Sequence, residues 1–172
     1  FTELNLPNCE YIGELEFCAC ELLSQVSLPV CKHLGSWTFA GCTSLTQISL
    51  PMCEYIGSGT FQFCTSLSEV SLPMCKYIDD YAFCNPDEPG YAPLTQITLP
   101  VCSYIGEGAF VGCPLSQITL GYSDVCTIER GVFNITPIAS GTGSIYVPES
   151  LVSAYQSAEN WSAFASQIFP IV

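Results

Sequence analysis

The stretch ISLPMCEYIGSGTFQFC, Ile48 to Cys64, is followed after five residues by VSLPMCKYIDDYAFC, Val70 to Cys84. The second is the first moved on by 22 residues, and the rest of the chain aligns on itself at the same interval. Leu4, Val26, Ile48 and Val70 share one column. Leu6, Leu28, Leu50 and Leu72 share the next apolar one, each followed by proline at Pro7, Pro29, Pro51 and Pro73. Cys9, Cys31, Cys53 and Cys75 come two residues later, then Ile12, Leu34, Ile56 and Ile78, then Phe17, Phe39, Phe61 and Phe83. A second cysteine column holds Cys20, Cys42 and Cys64.

The phase slips through CNPDEPGYAP, Cys84 to Pro93, and resumes with Leu94, Ile97, Leu99, Pro100, Cys102, Ile105, Phe110 and Cys113. A looser copy uses Leu115, Ile118, Leu120, Cys126, Ile128 and Phe133, and a degenerate one survives as Ile145, Val147 and Pro148. A unit this short cannot bury its own apolar face, so neighbouring units must stack and form the core between them. In LTQITL, Leu94 to Leu99, Ile97 and Leu99 alternate with Gln96 and Thr98, which predicts one short strand per coil. Successive copies run the same way, so the strands form a parallel sheet at roughly 4.8 Å per coil, each strand ended by a proline without an N–H. Gly13, Gly35, Gly57 and Gly106 share a column where a turn with positive φ is expected, and Asp79 stands in that column in the fourth coil.

The pattern L-x-x-I-x-L-P-x-C-x-x-I-G-x-x-x-F-x-x-C resembles the BspA-type leucine-rich repeat, a bacterial surface-protein variant, over roughly residues 1 to 135. That resemblance implies a right-handed leucine-rich-repeat solenoid with a parallel sheet on its concave face and turns, 3₁₀ pieces or short extended segments on its convex face. This chain departs from it in placing cysteine at Cys9, Cys31, Cys53, Cys75 and Cys102, where the family often has an aliphatic residue. The tail from Ser144 resembles the end cap of such arrays. Leu151, Val152 and Tyr155 share one helical face after Pro148, and Trp161, Phe164, Ala165 and Ile168 share another. The expected organisation is an array of about six coils over residues 1–143 with an insertion at 84–93, closed by a helical cap over 144–172 in the same domain.

Sixteen acidic residues against Lys32, Lys76 and Arg130 give a formal charge of −13, which repels phosphate backbones and anionic lipid and excludes nucleic acid as a partner. No apolar run is long enough to span a bilayer, so no membrane insertion is expected of this segment. Phe1 falls inside a repeated unit, as in a piece cut from a longer protein whose leader and earlier repeats are missing.

Twelve cysteines invite a disulfide or zinc reading. The only tight pair is Cys18 with Cys20, with His33 as the sole imidazole, so the spacing does not suit zinc and no metal or other cofactor is expected. Column mates one coil apart come within bridging range but carry parallel Cβ vectors. The favoured reading is a small, soft hydrophobe filling an interior column, protonated and unreactive.

Two polar ladders face away from the core. Glu3, Gln25, Gln47, Glu69, Gln96 and Gln117 form one, and Asn5, Ser27, Ser49, Ser71, Thr98 and Thr119 the other. Their amides and hydroxyls suit hydrogen bonding to a glycan or a peptide backbone; the lack of aromatic or Arg anchors among them favours a merely solubilising role. Tyr11, His33, Tyr55, Tyr77 and Tyr104 form an aromatic column, read as a packed stack with wet hydroxyls. Beside it Glu10, Lys32, Glu54 and Lys76 alternate in sign from coil to coil. In the insertion, Asp87 and Glu88 near Asp79 and Asp80 suggest either a Ca²⁺ site or, the favoured reading, a solvated acidic bulge.

No Ser/His/Asp set converges and no phosphate loop follows a strand, so the chain is not expected to be an enzyme. The resemblance implies a secreted or cell-surface adhesion module that binds a protein of a host or neighbouring cell. The residues offered for that contact are Gln25, Ser27, Gln47, Ser49, Glu69, Ser71, Gln96, Thr98, Gln117 and Thr119. Glycan binding on the same ladders, or a stalk that spaces another domain from the wall, are the alternatives.

Overall fold

The computed structural model describes residues 1–85 and 93–172. Asp87 and Glu88 of the expected insertion lie outside the described residues. Each coil carries two short strands. The first coil holds β1 (Glu3–Asn5) and β2 (Tyr11–Ile12), and the second β3 (Gln25–Ser27) and β4 (His33–Leu34). The third and fourth hold β5 (Gln47–Ser49) with β6 (Tyr55–Ile56), and β7 (Glu69–Ser71) with β8 (Tyr77–Ile78). Beyond the insertion come β9 (Gln96–Leu99), β10 (Tyr104–Ile105), β11 (Gln117–Leu120) and β12 (Thr127–Ile128). The chain then runs through β13 (Ser144–Val147), a 3₁₀ turn over Glu149–Leu151, helix α1 (Val152–Ser157), a 3₁₀ segment over Ser162–Gln167 and β14 (Ile168–Pro170).

Strand pairing is parallel and its register is the sequence repeat: Ile48 lies opposite Val70, Ile97 opposite Ile118 and Tyr55 opposite Tyr77. The chain is therefore a stacked parallel solenoid, as the column alignment requires. The predicted single sheet is corrected in one respect. Its ladder runs in three pieces, β1–β3, β5–β7 and β9–β11–β13–β14, while an unbroken six-stranded ladder joins the Tyr-Ile strands β2, β4, β6, β8, β10 and β12. Proline removes a donor just beyond β1, β3, β5, β7 and β9, and Gly121 follows β11. Around the Tyr-Ile strands the flanking amides are free to bond, as in Lys32 N–H to the Glu10 carbonyl at 2.8 Å and Gly35 N–H to the Ile12 carbonyl at 2.9 Å.

The glycine column is also corrected. Gly35, Gly57 and Gly106 do not have positive φ, and neither does Asp79. Their reason is proximity: a Cβ on Gly57 would sit 2.7 Å from the carbonyl carbon of Gly35 and the amide of Ser36. A Cβ on Gly13 would meet only the Glu16 side chain, at 3.1 Å. The left-handed residues come two positions later, at Leu15 (φ 61), Trp37 (60), Gly59 (61), Tyr81 (56), Gly108 (62) and Gly131 (71). A second left-handed column passes through Ala19, Gly41, Phe63, Gly112 and Ile135. Large rings in the first of these columns lie over glycine in the next coil, for a Cβ on Gly59 would come 3.0 Å from the Trp37 indole.

Inside, like packs on like. Phe17, Phe39, Phe61, Phe83, Phe110 and Phe133 stack face to face with centroids 5.3–6.3 Å apart and planes within 17°. Leu50, Leu99 and Leu120 are fully buried beneath the polar ladders.

The cap is not two helices. Pro148 precedes the 3₁₀ turn over Glu149–Leu151, the second predicted helix is the 3₁₀ segment, and Ile168 leaves the predicted helical face to enter β14. β14 pairs with β13 and becomes the edge itself, a three-residue strand ending at Pro170, which has no N–H to offer another chain. The cap also completes the backbone of the last coil. Trp161 Nε1 donates to the Cys126 carbonyl at 2.6 Å, Asn160 Nδ2 donates to the Ile128 carbonyl at 2.8 Å, and Tyr155 Oη accepts from Cys126 N–H at 2.9 Å. Trp161 and Phe164 close the phenylalanine stack against Phe133.

Two substitutions separate close approach from backbone angle. Gly57→Ala should cost about 1–3 kcal/mol, because the obstructing atoms are backbone. Ala19→Gly, at φ 57 on the surface, should gain up to about 1 kcal/mol. Urea unfolding of the two variants beside the parent measures both; equal midpoints for all three would contradict the assignment.

Candidate functional site

The two polar ladders lie where the alternation places them. Val26, Ile48, Val70, Ile97 and Ile118 point inward, and Gln25, Ser27, Gln47, Ser49, Glu69, Ser71, Gln96 and Thr98 are all exposed, with Gln117 and Thr119 half-buried. Pairing puts equal rungs side by side: Gln47 opposite Glu69, Ser49 opposite Ser71, Gln96 opposite Gln117 and Thr98 opposite Thr119. The first four coils shape this face into an open hollow of about 870 Å³, whose polar lining includes Glu3, Gln25, Gln47 and Glu69. A second hollow of about 510 Å³ continues it past Gln96 and Thr98. Glu69 and Ser71 line both, at the centre of the face.

The ladders do not stop at Thr119. Tyr146 in β13 lies opposite Thr119, and Phe169 in β14 lies opposite Tyr146. Their neighbours Ile145, Val147 and Ile168 are buried, so both rings face outward on the same side as the hydroxyl ladder, 6.1 Å apart. Phe169 is 42% exposed. The polar ladders expected from the sequence stop at Gln117 and Thr119, although Ile145 and Val147 already stand as a degenerate copy of the repeat. The available signal was SIYV, Ser144 to Val147, which repeats the alternation of QITL with tyrosine in the threonine position.

The charges are divided between faces. Glu10–Lys32 and Glu54–Lys76 form ion pairs at 2.7 Å beside the Tyr-Ile strands, and each lysine holds its partner carboxylate below the usual range. These pairs occupy both lysines, so the polar ladders carry Glu3 and Glu69 with no ion-pair partner among the described residues. The aromatic column is a stack in its first three coils. His33 lies between Tyr11 and Tyr55 at 4.8 and 4.4 Å, and burial there pushes its pKa down. Tyr55 donates its hydroxyl to Asp79 at 2.7 Å; burial first, then that carboxylate, pushes its pKa up to about 12. Asp79 also accepts from Asp80 N–H at 2.9 Å, so its oxygens are engaged within the fold.

Nine of the twelve thiols are buried. The structure adds a directional contact to the packing role. Cys9, Cys31, Cys53, Cys75 and Cys102 each donate to the carbonyl two residues on, at 3.1–3.4 Å. In the other column Cys42, Cys64 and Cys113 donate to Phe17, Phe39 and Phe83 carbonyls at 3.1–3.4 Å, across one coil. A valine would fill the space but leave those carbonyls without this donor. Burial pushes Cys42, Cys53 and Cys113 up to about 12, away from thiolate chemistry. No group of three His, Cys, Asp or Glu among the described residues is placed to hold a metal ion. No helix among them is long and apolar enough to cross a membrane.

Comparison with known proteins agrees with this geometry. A profile described as a BspA type Leucine rich repeat region matches residues 1–88 and 90–166 in 6 copies. A crystal structure of a leucine rich cell surface protein from Faecalibacterium prausnitzii A2-165 is similar over 72% of this chain, at 26% identity and a TM-score of 0.51. A leucine-rich repeat protein from Bacteroides ovatus is similar over 86% of the chain, at 21% identity and a TM-score of 0.47. The chain spans 40% and 49% of those two structures. No curated protein sequence matches it.

The thiol lattice predicts a pH dependence. Folding raises these pKa values, so the stabilisation is complete below about pH 9, the ordinary thiol range, and is lost as pH rises towards about 12. Urea midpoints at pH 8 to 11 should fall progressively, and less steeply in Cys53→Val. In native buffer a thiol reagent should modify Cys18 first, Cys9 and Cys20 more slowly, and the other nine only on unfolding.

Proposed function

Because this chain belongs to the BspA-type leucine-rich repeat family, we propose that it is a non-catalytic cell-surface module that binds a protein partner along its polar ladders. The observation that carries this reading is the face itself. Two registered rows of amides and hydroxyls run across successive coils over hollows of about 870 and 510 Å³, and outward-facing aromatic rings end the hydroxyl row. A broad, rigid, polar surface with an apolar terminus suits a macromolecule more than a small metabolite, which calls for an enclosed pocket.

Surface location is supported by the family and by the similar Faecalibacterium protein, described as a cell surface protein. The non-catalytic reading rests on where the reactive groups lie. The one histidine is stacked between two aromatic neighbours, and burial holds the Cys42, Cys53 and Cys113 thiols protonated. Anchoring side chains are needed for affinity, because exposed amides and hydroxyls alone exchange water for similar hydrogen bonds.

Arrays of extracellular proteins and of glycans, probed in parallel with the labelled chain, test the proposal. A protein signal should fall at least about tenfold in Gln47→Arg/Ser49→Arg and stay unchanged in Ser153→Arg on the cap. A glycan signal alone, lost in the same double variant, would replace the proposal with glycan recognition; silence on both arrays would leave a stalk.

A further inference from the structure

Resting on that reading, we propose that the partner presents an extended, cationic peptide segment to this face, with one large apolar side chain seated on Tyr146 and Phe169. The charge on the face sets the first requirement. Glu69 stands exposed where the two hollows meet, with no ion-pair partner among the described residues, and Glu3 stands likewise at the far end. Both lysines are tied to carboxylates beside the Tyr-Ile strands, and no Lys, Arg or His is among the described residues that line the two hollows, so the face attracts cations. An anionic glycan is repelled, and a neutral one leaves Glu69 desolvated without a counter-charge. A lysine or arginine of a polypeptide satisfies it.

The second requirement is spatial. Tyr146 lies two paired strands beyond β9 and in the other column, and β7, which carries Glu69, neighbours β9 across the break in the ladder, so the separation is on the order of 16 Å, the reach of about five residues of extended chain. Between them Gln96, Thr98, Gln117 and Thr119 offer donors and acceptors to a peptide backbone crossing the strands. The Tyr146 and Phe169 rings, 6.1 Å apart and tilted by 41°, give an apolar side chain a place to bury. The surface thus reads two groups at a fixed distance, a cation at Glu69 and an aromatic or long aliphatic group at the shelf.

Fluorescence anisotropy with labelled nine-residue peptides tests this. One carries lysine and tryptophan five residues apart in a Ser/Gly background, and the others change lysine to glutamate or bring the two residues together. The first should bind best, weaken as salt rises, lose about twofold to fivefold in Glu69→Gln and about tenfold in Phe169→Ala. Glu69→Gln is nearly isosteric and exposed, so its effect does not depend on folding. Equal binding of the glutamate peptide, or indifference to Glu69→Gln, overturns the proposal. No peptide binding, alongside a protein signal from the arrays that Gln47→Arg/Ser49→Arg abolishes, overturns it while leaving the broader reading standing; neutral oligosaccharides binding in its place overturn both.

Discussion

Every coil is set down on the previous one by nearly pure translation, so each side chain meets its own counterpart across one strand spacing. The approach is closest in the glycine column. At Gly35, Gly57 and Gly106 an added Cβ would strike the backbone of the neighbouring coil, while Asp79 and Glu129 stand in the same column and keep the same backbone bond, to the Ile56 and Ile105 carbonyls. Phenylalanine on phenylalanine and leucine on leucine are favourable at that distance; glutamate on glutamate is not. Hence the apolar columns are uniform while the exposed charged column alternates, with Glu10 on Lys32 and Glu54 on Lys76.

The same translation explains the cysteines. An interior column needs a side chain small enough to repeat at close pitch, and the coil's turns leave carbonyls that the strand ladders do not reach. A thiol meets both needs. It packs as a hydrophobe and gives a weak hydrogen bond to a carbonyl two residues on or one coil back. Beside β12 the cap takes the place of a translated neighbour, and Trp161, Asn160 and Tyr155 supply from side chains the hydrogen bonds that a further coil would supply from its backbone.

Function follows from what that rigid frame leaves on its outside. Ion pairs consume both lysines beside the Tyr-Ile strands, and the polar ladders keep two carboxylates uncompensated. The face is repetitive over most of its length and differs where the repeat breaks down, in β13 and β14, which set an aromatic pair against the hydroxyl row. Specificity in a repeat protein has to come from such departures, since identical rungs cannot tell one register of a ligand from the next.

Column identity, strand direction, the inward set, the polar ladders and the ion-pair alternation were all legible in the chain, because a period of 22 residues leaves one way to stack parallel coils. Local turn geometry was not. The glycine column looks like a set of left-handed turns, yet the left-handed angle falls two residues on, at Leu15, Trp37 and Tyr81, because packing between coils overrides the intrinsic preference of those side chains. The cap was half legible, since apolar spacing alone cannot distinguish a short helix from the strand that Ile168 to Pro170 becomes beside β13. What the sequence determined by itself was the repeat and everything that repeats; what only the tertiary structure decided were the distances and the cap, because contact between residues far apart in the chain is what sets a close approach and pairs β14 with β13.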